Sequence, residues 1–215
     1  MRPRREFCIP RWRWTMGQDG TFRMALLVVL AIMIAITAFH RMQARAAGGS
    51  VSRREEGFVL LAMRAVCGLS IWVAIIAYLV SPGSMAWAAL PAAEWLRWGG
   101  VALGLLACGL LYWTLHHLGT NLTDTVVTRA RATLITSGPF GWVRHPFYVT
   151  VLLLLLSVSL ITANWFIGLA SISICAFFIL RTPLEEQKLG ERFGDDYRAY
   201  TQRTGRFLPR LARRR

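Results

Sequence analysis

Long apolar runs alternate with short arginine-rich segments along the 215-residue chain. A helix that crosses the hydrocarbon core of a bilayer, about 30 Å thick, needs about 20 mostly apolar residues. Four runs approach or exceed this length: 24–39, 58–80, 99–118 and 147–180. The last run would make a helix of about 50 Å, which is too long for one span. Because Thr162, Ala163 and Asn164 interrupt it, the pattern predicts two helices, 147–161 and 165–181.

The composition supports a membrane protein. Hydrophobic residues make up 55% of the chain and charged residues only 17%, and the mean hydropathy is +0.43. We therefore predict an all-α integral membrane protein with about five transmembrane helices, a C-terminal helical hairpin and an amphipathic cytoplasmic tail helix from Pro183 onward. The net charge of +14 is concentrated between and after the apolar runs. This distribution favours membrane lipid over nucleic acid as a partner.

The distribution of arginine and lysine predicts the orientation. Segments 41–57, 119–145 and 181–215 carry four, three and ten of these residues, whereas the alternate loops, 81–98 and 160–164, carry one and none. Positively charged loops stay in the cytoplasm, so segments 119–145 and 181–215, which flank the hairpin, are expected on the cytoplasmic side. With five spans, the same rule places the basic tail, 1–23, outside the cytoplasm. Its six arginines disfavour that location. We expect translation to begin at Met16 or Met24, which would leave a nearly neutral tail.

The chain therefore divides into three parts. Residues 1–23 form a basic N-terminal tail, and residues 24–118 hold three membrane helices with their linkers. Residues 119–215 hold a polar loop, the helical hairpin and the cytoplasmic tail. In the third apolar run, Gly100, Gly104 and Gly109 permit close helix packing, and this pattern leaves the oligomeric state open.

Two polar clusters lie in the C-terminal part. In the first, which we call the corner segment (residues 134–148), glycines and prolines enforce a turn just before an apolar helix. Pro146 suits the first turn of that helix and keeps His145 out of the helical region, so Arg144 and His145 are expected at the membrane surface. Polar groups there are costly unless they hold something.

The second cluster is the sequence RTPLEE at 181–186. Thr182 resembles an N-cap, Pro183 a first helical residue, and Glu185 the last member of a capping box. About 35 mostly apolar residues separate the two clusters, and a hairpin would bring both to one membrane face. That arrangement predicts a functional site.

Each residue also has a purely structural interpretation. Arg144 and Arg181 could anchor helix ends in the interface, and Arg181 and Glu185 could form an ordinary ion pair one helical turn apart. His116 and His117 are neighbours in a helix and point about 100° apart, so no metal site is expected. Taken singly, these interpretations are favoured, but the convergence of the two clusters favours a site.

The corner segment LITSGPFGWVRHPFY, then a hydrophobic hairpin, RTPLEE and ERFGDDYRAY, resembles the C-terminal core of the isoprenylcysteine carboxyl methyltransferase family. The resemblance covers residues 119–209, and phospholipid methyltransferases share its overall layout. It implies a small membrane enzyme that binds S-adenosyl-L-methionine without a Rossmann domain, which agrees with the lack of a G-x-G-x-x-G motif after a strand. Residues 119–215 would then be the methyltransferase core.

The resemblance also implies roles for single residues. The expected cofactor-binding residues are Ala132, Thr133, Leu134, Ile135, Phe140, His145, Pro146, Phe147, Tyr148 and Glu185. Arg181 matches a substrate-contacting arginine, and Arg144 is a second candidate for orienting a carboxylate. If the acceptor is an amine, His145 and Glu186 are the candidate proton acceptors. Many family members have histidine in place of Ala132 and glycine in place of Thr150. Tyr200 is expected to lie beyond the site.

The predicted function is methyl transfer to a lipophilic acceptor. The acceptor could be a prenylated cysteine carboxylate, a phospholipid amine or another lipophile. One alternative is a membrane reductase with a similar hairpin that uses a reduced nicotinamide nucleotide. The other is a non-catalytic membrane protein whose basic termini bind anionic lipid.

Overall fold

The computed structural model describes residues 16–46, 58–119 and 133–210. This part of the chain contains five α-helices: α1 (Met16–Ala46), α2 (Phe58–Val80), α3 (Glu94–Leu118), α4 (Pro146–Thr162) and α5 (Trp165–Arg203). Two 3-10 helices, Pro82–Ala88 and Gly138–Gly141, lie in the connections. The described residues form no β-strand, so the predicted all-α class is confirmed.

The helices have the length and surface of membrane spans. Among the described residues, α1, α2, α3 and α5 are each long and apolar enough to cross a bilayer, while α4 is a shorter apolar helix. With 17 residues, α4 is about 26 Å long at about 1.5 Å per residue. Large apolar side chains face outward, including Val66 (67% exposed) and Ile172 (64% exposed). The membrane class is confirmed, and the count of five spans stays a prediction because α4 is short.

Two small residues let α3 and α4 pack closely. A Cβ atom at Gly100 would lie 2.7 Å from the Leu160 Cβ, and one at Gly104 would lie 2.5 Å from the Ser157 Oγ. Ser157 donates a hydrogen bond of 2.7 Å from this Oγ to the Gly100 carbonyl. Gly109 has no such neighbour within 4 Å. The predicted role in close packing therefore holds within the chain for Gly100 and Gly104 and stays a prediction for Gly109.

A buried arginine joins four helices at one end of the bundle. Arg97 donates from Nε to the Ile161 carbonyl at 2.9 Å and from Nη2 to the Tyr78 hydroxyl at 3.0 Å. Its guanidinium also lies 3.9 Å from the ring centroid of Phe22. These contacts hold the start of α1, the end of α2, the start of α3 and the end of α4 together. The opposite ends of α3 and α4 consequently meet at the other face.

The predicted break between α4 and α5 is confirmed. Ala163 has a left-handed backbone with φ 46, and the Asn164 side chain caps α5 by accepting from the Phe166 and Ile167 amides at 3.1 Å each. Asn164 also donates to the Met85 carbonyl at 3.1 Å. Because the turn is bonded both locally and to the α2–α3 connection, the hairpin has a fixed direction.

The first helix begins earlier than the apolar pattern predicts. It starts at Met16 rather than Met24 and continues to Ala46, so the predicted tail at 1–23 and the predicted loop at 41–57 are wrong where they overlap α1. Phe22 explains the early start, because it is only 2% exposed and packs on Trp98 with ring centroids 5.3 Å apart. Residues 1–15 and 47–57 lie outside the described residues.

The predicted capping box at Thr182 is wrong. The α5 helix runs through Thr182 and Pro183, and the Thr182 hydroxyl bonds back to the Phe178 carbonyl at 2.7 Å instead of capping a new helix. The proline costs the helix only one backbone hydrogen bond. The threonine hydroxyl bonds within the preceding turn rather than capping a new one, so the helix continues through both residues. The predicted separate tail helix from Pro183 is wrong for the same reason. The non-helical residue within α5 is Gly194, with φ 52 and ψ −123.

Candidate functional site

The corner segment is held against the end of α3. Gly138 has a positive φ of 58, and a Cβ atom there would lie 2.5 Å from the His117 Nε2. The imidazole of His117 in turn lies 3.0 Å, through Nδ1, from the Trp113 carbonyl. A glycine is therefore needed at this position both for the backbone angle and for the close approach. Pro139, next in the chain, is buried.

The corner leads directly into α4, as predicted. Pro146 occupies the first turn of the helix, and His145 before it has φ −120 and ψ 59. The backbone of the corner also bonds to a segment near the C-terminus: the Arg144 amide donates to the Gly205 carbonyl at 2.8 Å, and the His145 amide donates to the Arg206 carbonyl at 3.0 Å. We call residues 204–207 the C-terminal strap.

Glu186 is the centre of a charged cluster beneath this corner. Its Oε1 accepts from the Arg144 Nε at 2.9 Å and lies 3.4 Å from the His145 Nε2. Its Oε2 accepts from the Arg206 Nε at 2.8 Å and Nη2 at 2.6 Å. The carboxylate is 12% exposed. Two guanidinium groups at hydrogen-bond distance favour its ionised form and satisfy it.

Arg144 is occupied by protein groups in the same cluster. Besides Glu186, its guanidinium donates to the Thr201 carbonyl at 3.3 Å and to the Thr204 carbonyl. The side chain is 8% exposed. The Arg144 guanidinium therefore links α5 to the C-terminal strap.

The neighbouring carboxylate, Glu185, contacts the other side of the corner. It accepts a hydrogen bond from the Tyr148 hydroxyl. The Tyr148 ring is stacked near-parallel on Phe178, with centroids 4.4 Å apart, and on His145, with centroids 5.3 Å apart. Tyr148 is 6% exposed. The stacked rings of Phe178 and His145 thus hold the Tyr148 ring, and the Tyr148 hydroxyl holds the Glu185 carboxylate.

Arg181 lies on α5 one turn before Glu185 and is 8% exposed. A guanidinium at this depth, near the end of the apolar part of the helix, is a strong binding group for a carboxylate. That Arg181 and Glu185 belong to one site stays a prediction.

The structure joins five of the predicted residues by direct contacts around the two carboxylates: Arg144, His145, Tyr148, Glu185 and Glu186. Phe147 contacts the Tyr148 ring, and the Phe140 carbonyl accepts from Tyr200. Thr133 precedes the corner segment and Leu134 and Ile135 begin it, and all three lack regular secondary structure. Ala132 lies outside the described residues. Thr150, where the family has glycine, is 1% exposed and bonds back to the Pro146 carbonyl at 2.9 Å.

Two tyrosines of α5 belong to the site although the sequence analysis placed Tyr200 beyond it. The Tyr200 hydroxyl donates to the Phe140 carbonyl at 2.6 Å, which holds the corner from the far side. Tyr197 is 5% exposed, and among the described residues its hydroxyl has no hydrogen-bond partner. The only sequence signal was the spacing of two tyrosines one turn apart on a polar helix.

These groups fit a small zwitterionic ligand. Glu185 supplies a carboxylate that can accept from an amino group, Arg181 supplies a buried guanidinium, and Tyr197 supplies an unused buried hydroxyl. A buried polar atom without a partner is costly, so the Tyr197 hydroxyl is a candidate for ligand binding.

Comparison with known proteins gives a family match over the same region. Residues 100–191 match the isoprenylcysteine carboxyl methyltransferase (ICMT) family. This stretch contains nearly all of α3, the corner segment, α4 and the part of α5 that carries Arg181, Glu185 and Glu186. The strap lies beyond it.

The relatives include eukaryotic and bacterial proteins. Protein-S-isoprenylcysteine O-methyltransferase of Rattus norvegicus is 27% identical over 147 residues, which are 67% of this chain and 50% of the relative. The cobalt-zinc-cadmium resistance protein CzcN of Cupriavidus metallidurans is 30% identical over 122 residues, which are 54% of this chain and 55% of the relative. The chain spans about half the length of the curated relatives it matches.

A solved structure shares the fold. The eukaryotic intramembrane Ras methyltransferase ICMT superposes with a TM-score of 0.57 and 24% sequence identity, and the match covers 87% of this chain and 68% of that chain. At this identity the likeness concerns the fold. It extends over the N-terminal helices, where the sequence resemblance was limited to membrane-spanning character.

Proposed function

We propose that this chain, which matches the isoprenylcysteine carboxyl methyltransferase family over residues 100–191, is a membrane methyltransferase of that family that uses S-adenosyl-L-methionine. The acceptor in this proposal is a carboxylate on a lipophilic molecule of the isoprenylcysteine type, the class that the name of the rat relative specifies. The active site is the set of residues around Glu185 and Glu186, on the face that the arginine distribution assigns to the cytoplasm.

The observation that carries the proposal is the contact between Tyr148 and Glu185. It joins the corner segment to α5 at the residue that the family resemblance assigns to cofactor binding. Glu185 would bind the amino group of the cofactor, and Tyr148, stacked on Phe178, would hold the carboxylate in place. A charge-assisted hydrogen bond to a fixed carboxylate gives both affinity and orientation.

When bound, S-adenosyl-L-methionine supplies a methyl group on a sulfonium, which is already an activated electrophile. The protein's own task is to align the acceptor and exclude water. A carboxylate acceptor needs no general base. Arg181 would orient that carboxylate with two parallel hydrogen bonds, which a guanidinium does better than an ammonium group.

The geometry disfavours Glu186 as the general base that an amine acceptor would need. An amine must lose a proton, and the candidates for accepting it are His145 and Glu186. Glu186 already accepts hydrogen bonds from Arg144 and Arg206, and two guanidinium groups make a carboxylate a weak base. Arg144 and Glu186 therefore hold the corner in position, and the role of orienting the acceptor falls to Arg181.

The test is binding of S-adenosyl-L-methionine and its demethylated product to the detergent-purified protein by calorimetry. We expect binding that is lost in Glu185→Gln and kept in Arg181→Ala. Turnover of an isoprenylated cysteine derivative with labelled cofactor should fall at least tenfold in Arg181→Ala, on the order of one lost bidentate interaction.

Other outcomes identify the competing functions. Methylation of phosphatidylethanolamine vesicles instead of the isoprenylated acceptor would overturn the carboxylate assignment. Binding of a reduced nicotinamide nucleotide with none of S-adenosyl-L-methionine would indicate a reductase. Absence of both ligands in folded protein, with binding to anionic vesicles, would indicate the lipid-binding alternative.

A further inference from the structure

The C-terminal strap contacts the corner segment through backbone and side chain at once. Two amides of the corner, those of Arg144 and His145, donate to carbonyls of Gly205 and Arg206 at 2.8 and 3.0 Å. The pairing of Val143 with Gly205 is a parallel bridge. The Phe207 ring lies 5.9 Å from the imidazole of His145. The strap is thus a structural part of the corner.

The side chain of Arg206 closes the same arrangement from below. Its Nε and Nη2 both bond the Glu186 Oε2, at 2.8 and 2.6 Å. The other oxygen of Glu186 is bonded by Arg144 and lies near His145. Arg206 is 53% exposed, whereas Arg144 and Glu186 are 8% and 12% exposed. One surface arginine therefore neutralises the second oxygen of a nearly buried carboxylate.

Glu186 follows Glu185 directly in α5. Any shift of Glu186 would rotate the helical turn that presents Glu185 to Tyr148. We propose that Arg206 is a positioning residue of the site. It fixes Glu186, and through Glu186 it fixes both the Arg144–His145 corner and the register of Glu185. The strap lies beyond residues 100–191, the part of the chain that matches the family.

The first experiment measures the corner itself and needs no ligand. Hydrogen exchange of the Arg144 and His145 amides, followed by mass spectrometry of peptides that span the corner, should be about fivefold faster in Arg206→Ala. This is the scale of one partly exposed ion pair. Arg210→Ala is the matched control, because within the described part of the chain the Arg210 guanidinium donates to the Gln202 carbonyl, at 2.6 Å, and not to Glu186. Exchange in the α3–α4 interface should not change in either variant.

The second experiment measures binding of S-adenosyl-L-methionine by calorimetry and rests on the proposed function. The Kd should rise about fivefold in Arg206→Ala, with the melting midpoint in detergent within error of the parent protein. Arg206→Lys should recover part of the affinity, because a lysine keeps the charge and loses the bidentate fork. In a Glu186→Gln background, Arg206→Ala should change the Kd by less than twofold, because both changes remove one interaction.

A second variant moves the strap without changing a charge. A Cβ atom at Gly205 would collide with the Leu208 carbonyl oxygen, so Gly205→Ala must displace the strap. Gly205→Ala should also accelerate hydrogen exchange of the corner amides and weaken binding of S-adenosyl-L-methionine. Agreement of Gly205→Ala with Arg206→Ala supports the strap as a unit.

The outcomes separate the two proposals. Unchanged exchange at the corner in Arg206→Ala, or multiplicative effects of Arg206→Ala and Glu186→Gln on the Kd, would overturn the positioning role. A parent protein that binds no S-adenosyl-L-methionine but shows faster corner exchange in Arg206→Ala would overturn the proposed function and leave the strap's role standing.

Discussion

The hydroxyl of Tyr148 donates a hydrogen bond to the carboxylate of Glu185 across 37 positions of sequence. Tyr148 belongs to the first turn of α4 and Glu185 to the polar part of α5, so the bond joins the two helices of the hairpin. The ring of Tyr148 is stacked on Phe178, with centroids 4.4 Å apart, and so cannot rotate away easily. A single tyrosine therefore fixes the carboxylate that we assign to cofactor binding.

Removal of that hydroxyl should weaken cofactor binding and leave the fold intact. Tyr148→Phe keeps the stacking ring and leaves Glu185 without its donor. A hydrogen bond to a charged group contributes about 1.5–3 kcal/mol, so the Kd for S-adenosyl-L-methionine should rise about tenfold or more. Tyr112→Phe is the control, because Tyr112 is 50% exposed on α3. Equal affinity in the two variants, measured by calorimetry, would contradict the supporting role of Tyr148.

A side chain at Gly138 should destabilise the corner. Alanine there meets both a positive φ of 58 and the imidazole of His117, and we expect a loss of about 1–3 kcal/mol or more in the free energy of unfolding. Gly119 has a similar φ of 52 and no neighbour within 4 Å. Gly119→Ala therefore isolates the cost of the backbone angle. The melting temperature in detergent should be higher for Gly119→Ala than for Gly138→Ala. The reverse order would show that His117 does not hold the corner.

The contact between α3 and α4 gives a second stability test. Gly104→Ala places a methyl group 2.5 Å from the Ser157 Oγ, so either the helices separate or the Ser157 hydroxyl gives up its bond to the Gly100 carbonyl, at a cost of about 1–3 kcal/mol. Gly109→Ala, on the same helix with no neighbour within 4 Å, should be neutral or stabilise by up to about 1 kcal/mol. Thermal unfolding of the two variants compares them directly. A Gly109→Ala variant that is the less stable one would refute the packing argument.

Loss of Arg97 should lower stability without changing the site. Arg97→Ala leaves the Ile161 carbonyl and the Tyr78 hydroxyl without their buried donor, which costs roughly 2–3 kcal/mol. The cluster lies at the end of the bundle away from Glu185, so the Kd for S-adenosyl-L-methionine should stay within about twofold at a temperature where the variant is folded. Glu94→Gln at the same end of α3 should change neither quantity. A large loss of affinity in folded Arg97→Ala would show that the two ends are coupled.

Features set by neighbouring residues could be predicted from the sequence. Apolar run lengths located the helices, and Asn164 marked the hairpin because its side chain caps the amides two and three residues ahead. Pro146 marked the start of α4 because its ring fits only the first turn without cost. Thr182 shows the limit of such signals. Its hydroxyl can cap a following turn or bond back to a preceding carbonyl, and the local sequence does not decide between these.

The sequence by itself determined the membrane class, the hairpin and the two polar clusters, because these depend on hydrophobicity and on chemistry within about one helical turn. Only the tertiary structure decided which partners the polar groups take. Tyr200 reaches the Phe140 carbonyl, and Arg206 reaches Glu186, from a helix and a strap whose paths are set by packing. Such pairings join residues far apart in the chain. Their geometry depends on the path of α5, which continues through Pro183 and departs from helical geometry at Gly194. No local pattern encodes that path, because it results from the contacts of the whole bundle.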